Sequence, residues 1–351
     1  MKFGLHYLMS CSDTQSPAQR YRDTIEQAVR GEALGFESVW PVEQHFHQQQ
    51  SALPSPALLL AAIAERTQTM RLGTGIVQLP LGHPLRIAEE IATLDVLSGG
   101  RVEFGVGRGS NPKHFAGFGV PMAESRDRML EALDYIRQAW THERFSFQGR
   151  FFQADDICLV PKPLQRPYPR IWIAANGPDT FEFAGRAGYP ILVAAHINPF
   201  PTLRLFLSKY QAARKEAGHP EMSQDDLTLL MPLYVAENRA QVRRDVEPAV
   251  ENFVHLSTSL LTSSAGKWTS EAESKRMAVL LDRIHALTQE MMNDGMAIFD
   301  TPEACVERLK QVQQEFNPGR VICWFNFAGA IPHDRVLRSM ELFSSKVLPH
   351  L

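Results

Sequence analysis

The residues best suited to chemistry stand in short runs, each just beyond an apolar stretch. Glu43-Gln44-His45-Phe46-His47 sets a carboxylate and two imidazoles within five positions, and Gly107-Arg108-Gly109-Ser110 puts a guanidinium between two glycines. Asn176-Gly177-Pro178-Asp179-Thr180 stands where a helix should begin, while His6, His196 and Asn326 follow other apolar runs. Free amides and the dipole at a helix start favour an anion such as a phosphate, so Arg108, Asn176, Gly177 and Thr180 suggest one anion site. The competing reading has Asn176 and Thr180 merely capping the helix and Arg108 paired with a carboxylate. Both readings stay open at this level.

Glu43-x-His45-x-His47 admits acid–base chemistry or a metal. A zinc centre needs further ligands to complete its shell. His196 could supply one, but Asn176 and Asn326 stand where a histidine and an aspartate would be wanted, so no metal is expected. His45 is the better acid–base residue, because imidazole changes charge near neutral pH. His47, beside Gln48-Gln49-Gln50, reads as a solvated loop histidine.

These runs need a scaffold. Strand-like segments at 3–7, 36–42, 71–79, 102–106, 170–175, 190–195, 227–236 and 321–325 alternate with helical patterns, for example Met129, Leu133, Ile136 and Trp140. Alternation implies a parallel sheet, and eight units imply closure into an α/β (β/α)8 TIM barrel with function at the C-terminal strand ends. An open doubly wound sheet competes, but no GxGxxG follows the first strand; Gly105, Gly107 and Gly109 follow the fourth, with Ser110 in the third glycine's place. Pro232 falls inside the seventh strand and predicts a bulge there. Pro248 predicts a bent helix. Residues 257–300 break the rhythm as an insertion before the last strand, a lid within a single domain spanning 1–351. Met291, Met292 and Met296 in that insertion fit core or lid packing better than a pocket wall.

Composition removes other classes. The 351 residues are 44% hydrophobic and 21% charged, with 36 basic and 39 acidic side chains and a formal charge of −3. Neither nucleic-acid binding nor an acidic tail is indicated. No window approaches the roughly 18 apolar residues of a membrane span, and the N-terminus lacks a signal-peptide stretch. Cys11, Cys158, Cys305 and Cys323 are dispersed, so reduced thiols and a cytoplasmic location are expected. GxSxG, Walker A and HExxH motifs are absent.

Several stretches, in order and spacing, resemble one family. They are Met1-Lys2-Phe3-Gly4, Gly35-Phe36-Glu37-Ser38-Val39-Trp40, Glu43-Gln44-His45-Phe46, Leu72-Gly73-Thr74-Gly75-Ile76-Val77 and Pro80-Leu81-Gly82-His83-Pro84. Leu94-Asp95-Val96-Leu97-Ser98-Gly99-Gly100-Arg101 and Phe104-Gly105-Val106-Gly107-Arg108-Gly109 continue the series. Over nearly its whole length the chain is similar to the bacterial-luciferase-like flavin monooxygenases.

The resemblance implies a luciferase-like barrel that takes reduced FMN from a separate flavin reductase and uses O2, through a flavin C4a-hydroperoxide, to oxidise a small organic substrate. It implies that Arg108, Asn176, Gly177 and Thr180 hold the flavin phosphate. Gly75 and Ile76 would run beside the ring, with a non-proline cis peptide between them, and a homodimer would form through the helices beside strands two and three, where 58–63 is apolar. His6, Glu43, Gln44 and His196 become substrate-pocket residues and His45 the catalytic one. Two positions depart from the luciferase pattern. Gln44 replaces the first of two adjacent histidines, and an amide cannot take a proton as imidazole does. Gly107 replaces a reactive cysteine. Two relatives of that reading remain: an F420-dependent dehydrogenase or reductase, which more often carries Asp-His where this chain has Glu43-Gln44-His45, and a non-catalytic flavin-binding protein, which has a shortened barrel.

Overall fold

Apolar runs bounded by glycine, proline and polar turn residues become strands, and most of the helices after them start at a proline. The computed structural model describes residues 1–11, 15–264, 281, 282, 284, 285 and 287–351, with 260–264 as backbone alone. In chain order the strands are β1 (Lys2–Tyr7), β2 (Ser38–Pro41), β3 (Arg71–Gly73), β4 (Val77–Gln78), β5 (Val102–Gly107), β6 (Phe145–Gln148) and β7 (Gln153–Ile157). Then come β8 (Arg170–Ala174), β9 (Ile191–Ala194), β10 (Leu227–Val235), β11 (Ile298–Asp300) and β12 (Arg320–Trp324). Parallel pairing runs β1–β2–β3–β5–β8–β9–β10–β12 and returns to β1, with β4 continuing the place of β3 beside β5. The ring is a closed eight-stranded barrel, as expected.

The helices that position the site are α1 (Pro17–Ala33), α2 (Pro56–Ala64), α3 (Pro84–Leu97), α4 (Pro112–Gly117), α5 (Ser125–Thr141) and α6 (Pro178–Ala187). Proline at the first helical position has its φ preset and loses no needed hydrogen bond, so the sequence fixes where α2, α3, α4 and α6 begin. Those starting points set the loops at the C-terminal strand ends. The later helices are α7 (Phe200–Glu216), α8 (Arg239–Ser264), α9 (Gln289–Asn293), α10 (Pro302–Phe316) and α11 (His333–Leu342).

The barrel interior is filled rather than hollow. Trp40 of β2 and Trp172 of β8 meet edge to face at 6.1 Å and pack with Leu192 and Ile322. Trp40 fits because Gly73 faces it: a β-carbon there would lie 2.2 Å from the Trp40 ring. Beneath the indoles, toward the N-terminal strand ends, lies a charged floor. Glu103 accepts from Arg71 Nε at 2.8 Å and from Trp172 Nε1 at 2.7 Å, and Arg320 pairs with Glu37. The Arg320 guanidinium also sits 5.3 and 5.5 Å from the Trp40 and Trp172 ring centres. In barrels of this type the N-terminal face serves stability.

Three expectations need correction, and some elements were not foreseen. The strand expected over 71–79 is two short strands, with a cis peptide between Gly75 and Ile76 in the gap. Pro232 makes no bulge: β10 pairs with β12 in unbroken register through Pro232 and Trp324. Pro232 falls instead between Leu230, the last residue paired with β9, and Leu233, the first paired with β11. That change of neighbour leaves a place in the ladder where a missing N–H does no harm. The antiparallel β6–β7 hairpin and β11 were not foreseen. Helical structure in α8 runs to Ser264, past the expected break at 257. Of the proposed lid over 257–300, residues 265–280, 283 and 286 lie outside the described residues. Met292 is fully buried, as core packing requires, and Met291 is exposed.

Candidate active site

At the mouth, the β2 end is tied into a polar network. Glu43 Oε1 lies 3.0 Å from His45 Nε2, and Glu43 Oε2 accepts the backbone amide of Gln78 at 3.1 Å. Gln78 Nε2 donates to the Glu43 carbonyl at 3.0 Å. His114 of α4 accepts the His45 backbone amide on Nε2 at 3.2 Å, and its Nδ1 is 3.2 Å from Gln78 Oε1. Burial first, and then the charge of His45, pushes the His114 imidazole down to about 4. The His45 side chain is 9% exposed and packs edge-on against Phe118 and His114. His47 lies outside this network; its Nδ1 accepts from the Gln50 amide. Among the described residues no three His, Cys, Asp or Glu side chains converge as a metal-holding group.

The anion corner is built by neighbouring strands. Val106 of β5 pairs with Ile173 of β8, so Arg108 and Ala175, two residues further on, leave the barrel side by side; adjacent strands are about 4.8 Å apart. Arg108 is exposed and makes no hydrogen bond or ion pair among the described residues. The N-cap of α6 is Gly177, which has no side chain to offer, and neither Asn176 nor Thr180 caps the helix with its side chain. Among the described residues, then, Asn176 and Thr180 do not cap the helix with their side chains and Arg108 is not paired with a carboxylate. A β-carbon on Gly177 would meet nothing within 4 Å, so the helix start faces open space. Asp179 in the first turn is exposed and tempers the positive field. Gly107 abuts Ile76: a β-carbon there would stand 2.2 Å from Ile76 Cδ1.

Deeper in the mouth His6 and His196 converge on one indole. Their rings lie 5.4 and 5.5 Å from that of Trp324, and Phe253 and Phe327 complete the wall. Burial, followed by the charge of His196, pushes His6 down to about 3, and burial pushes His196 down to about 4. Buried polar atoms without a hydrogen-bond partner cluster on these strand ends: His6 Nδ1, Tyr7 Oη, Gln44 Oε1 and His196 Nδ1.

Sequence reading missed Gln78, Asn111, His114 and Trp324. Asn111-Pro112 was a legible helix start, and Asn111 Oδ1 does accept the Lys113 amide at 3.0 Å. Nothing in the spacing tells that His114, on that helix, meets Gln78 and His45.

The sequence profile of the luciferase-like monooxygenase family matches residues 1–316. The chain belongs to that family. Among luciferase-like relatives, the oxygenase component of the flavin-dependent trigonelline monooxygenase of Acinetobacter baylyi is 31% identical over 68% of this chain and 66% of its own. An F420-dependent glucose-6-phosphate dehydrogenase of Amycolatopsis mediterranei is 28% identical over 94% of each chain. The crystal structure of the monooxygenase RslO1 from Streptomyces bottropensis superposes with a TM-score of 0.84 at 29% identity, covering 100% of this chain and 99% of that one. Luciferase-like relatives are thus oxidoreductases, some flavin-dependent and some F420-dependent. Among the described residues no helix is long and apolar enough to cross a membrane.

Proposed function

We propose that this chain is the oxygenase of a two-component monooxygenase that takes reduced FMN from a separate reductase and uses O2 on a small organic substrate. The observation that carries the reading is the pair of unused donors on adjacent strand ends, the Arg108 guanidinium and the uncapped start of α6. A guanidinium facing free helix amides suits a phosphate ester, since both supply charge-assisted hydrogen bonds. The groups present therefore fit a flavin phosphate. Arg108, Asn176, Gly177 and Thr180 would hold the phosphate, and Gly75, Ile76 and Gly107, which carry no bulky polar group, would flank the ring. Bound reduced flavin supplies the activation of O2.

The chain's own residues handle position and protons. In the neutral His45 ring the proton sits on Nε2 and is donated to Glu43 Oε1, leaving Nδ1 as the proton acceptor. Gln44, with its partnerless Oε1, can accept a hydrogen bond from substrate but cannot move a proton. His6 and His196 stay neutral at pH 7 and present hydrogen-bonding nitrogen rather than charge to a pocket walled by Trp324. The four free cysteines accord with work in the cytoplasm. Exposed Leu58 on α2 and Leu97 on α3 accord with pairing of two copies through those helices.

Anaerobic titration tests the reading. Reduced FMN is expected to bind, and subsequent O2 uptake is expected to rise with one member of a panel of aldehydes, ketones and aromatic compounds, with oxygen from O2 in the product. Failure to bind reduced FMN, or O2 uptake indifferent to every substrate, rejects it. The F420-dependent relative makes a second reading specific. Tighter binding of reduced F420 than of reduced FMN in the same titration selects that reading instead.

A further inference from the structure

Hydrogen bonds to His114 join parts of the mouth that the chain keeps far apart. Its Nε2 receives the His45 amide at 3.2 Å and Asn111 Nδ2 at 3.1 Å. Both are donors, so that nitrogen carries a lone pair and the proton sits on Nδ1, which donates to Gln78 Oε1 at 3.2 Å. Gln78 binds Glu43 through two bonds and Glu43 binds His45, so the circuit closes on itself. The same Gln78 oxygen passes Gly109 so closely that a β-carbon there would lie 2.4 Å away, and Gly109 takes a φ of +76° that favours glycine. Arg108 is therefore held between two pinned neighbours, Gly107 against Ile76 and Gly109 against Gln78. His114 is buried and is the partner of side chains and backbone alone.

Resting on the reading of Arg108 as a phosphate ligand, we propose that His114 is a positioning residue: through Gln78 it holds the loop that presents Arg108, and through the His45 amide it locks that loop to the β2 end. The anion corner and the Glu43–His45 pair then form one prearranged unit. Its imidazole, disfavoured as a cation by burial first and with both donors aimed at the Nε2 lone pair, suits a structural acceptor rather than a proton carrier.

Reduced FMN and reduced riboflavin, which lacks the phosphate, separate this role from general destabilisation. Their affinities are measured by anaerobic ultrafiltration on wild type, Arg108→Ala, His114→Phe and the double variant. Arg108→Ala is expected to weaken FMN on the order of tenfold or more and to spare riboflavin. His114→Phe is expected to weaken FMN several-fold and to spare riboflavin, with roughly no further loss in the double variant because both act through one contact. Equal loss for both flavins, no loss for either, or additive losses overturn the proposal. If Arg108→Ala leaves the preference for FMN unchanged, the phosphate reading itself fails, a signature distinct from a silent His114→Phe beside an effective Arg108→Ala. Should His114→Phe not fold, 15N spectra of wild-type histidines decide. A neutral His114 protonated on Nδ1 is expected; a charged ring at neutral pH, or a proton on Nε2, overturns the role.

Discussion

Gly107, the last residue of β5, packs directly against the side chain of Ile76, just after the cis peptide; a β-carbon on Gly107 would come within 2.2 Å of Ile76 Cδ1 and 3.4 Å of the Ala174 side chain. Any residue larger than glycine must displace Ile76. Gly107→Val is expected to cost about 1–3 kcal/mol, the range for overpacking a filled site, and to weaken reduced FMN. Urea denaturation beside flavin titration checks both; an unchanged midpoint with unchanged affinity refutes the account.

Acid should weaken the fold through buried imidazoles. His6 and His114 are buried and take up a second, charging proton only below about 3 and about 4. As pH falls from the unfolded value of about 6.5 toward those values, the unfolded chain takes up protons the folded one refuses, so stability falls by up to about 1.4 kcal/mol per pH unit for each ring. Above about pH 6.5 these rings contribute no pH dependence. Urea midpoints measured down the pH scale should decline, and His6→Gln should make the decline shallower. An identical slope in that variant removes His6 from the explanation.

Thiol labelling should be selective. Cys158 is exposed, whereas Cys11, Cys305 and Cys323 are buried. Burial pushes Cys305 up to about 12 and Cys323 higher still, and the thiolate is the reactive form. Brief maleimide treatment of native protein should label Cys158 and leave the other three for denaturant, as mass spectrometry would show. Fast labelling of Cys305 or Cys323 in the native state contradicts the packing described.

The floor and the mouth should respond independently. Glu103 is buried and accepts from Arg71 and Trp172, with Arg320 beside it at 3.8 Å. Glu103→Leu leaves the buried Trp172 N–H without its acceptor and takes one partner from the part-exposed Arg71; it is expected to cost about 1–3 kcal/mol without altering flavin affinity, because the floor and the mouth lie at opposite ends of the strands. Denaturation and titration on the same sample check this, and a large change in flavin affinity counts against the separation.

How much of this was legible beforehand depends on range. Strand and helix alternation is local patterning, and it was sufficient for the closed barrel. The gap between β3 and β4 lay on Gly75 and Ile76, where only family resemblance marked it. Pro232 was read as a fault because its neighbours were assumed constant; the ladder changes partner at that point. The hairpin over 145–157 escaped because Gln148 and Gln153 are joined through four residues, Gly149, Arg150, Phe151 and Phe152, with no two-residue turn signal. At the site, strand ends pointed to Arg108, Gly177 and His45 because those positions follow from topology. The Gln78–His114 partnership did not, since it depends on how α4 folds back over β4.

The crossed indoles of Trp40 and Trp172 turn the cylinder into a cup. Nothing can pass through to the charged face below, so every molecule that enters the rim must leave by the same rim. Entry and exit therefore share one opening, and whatever lines that opening meets both what binds and what is released.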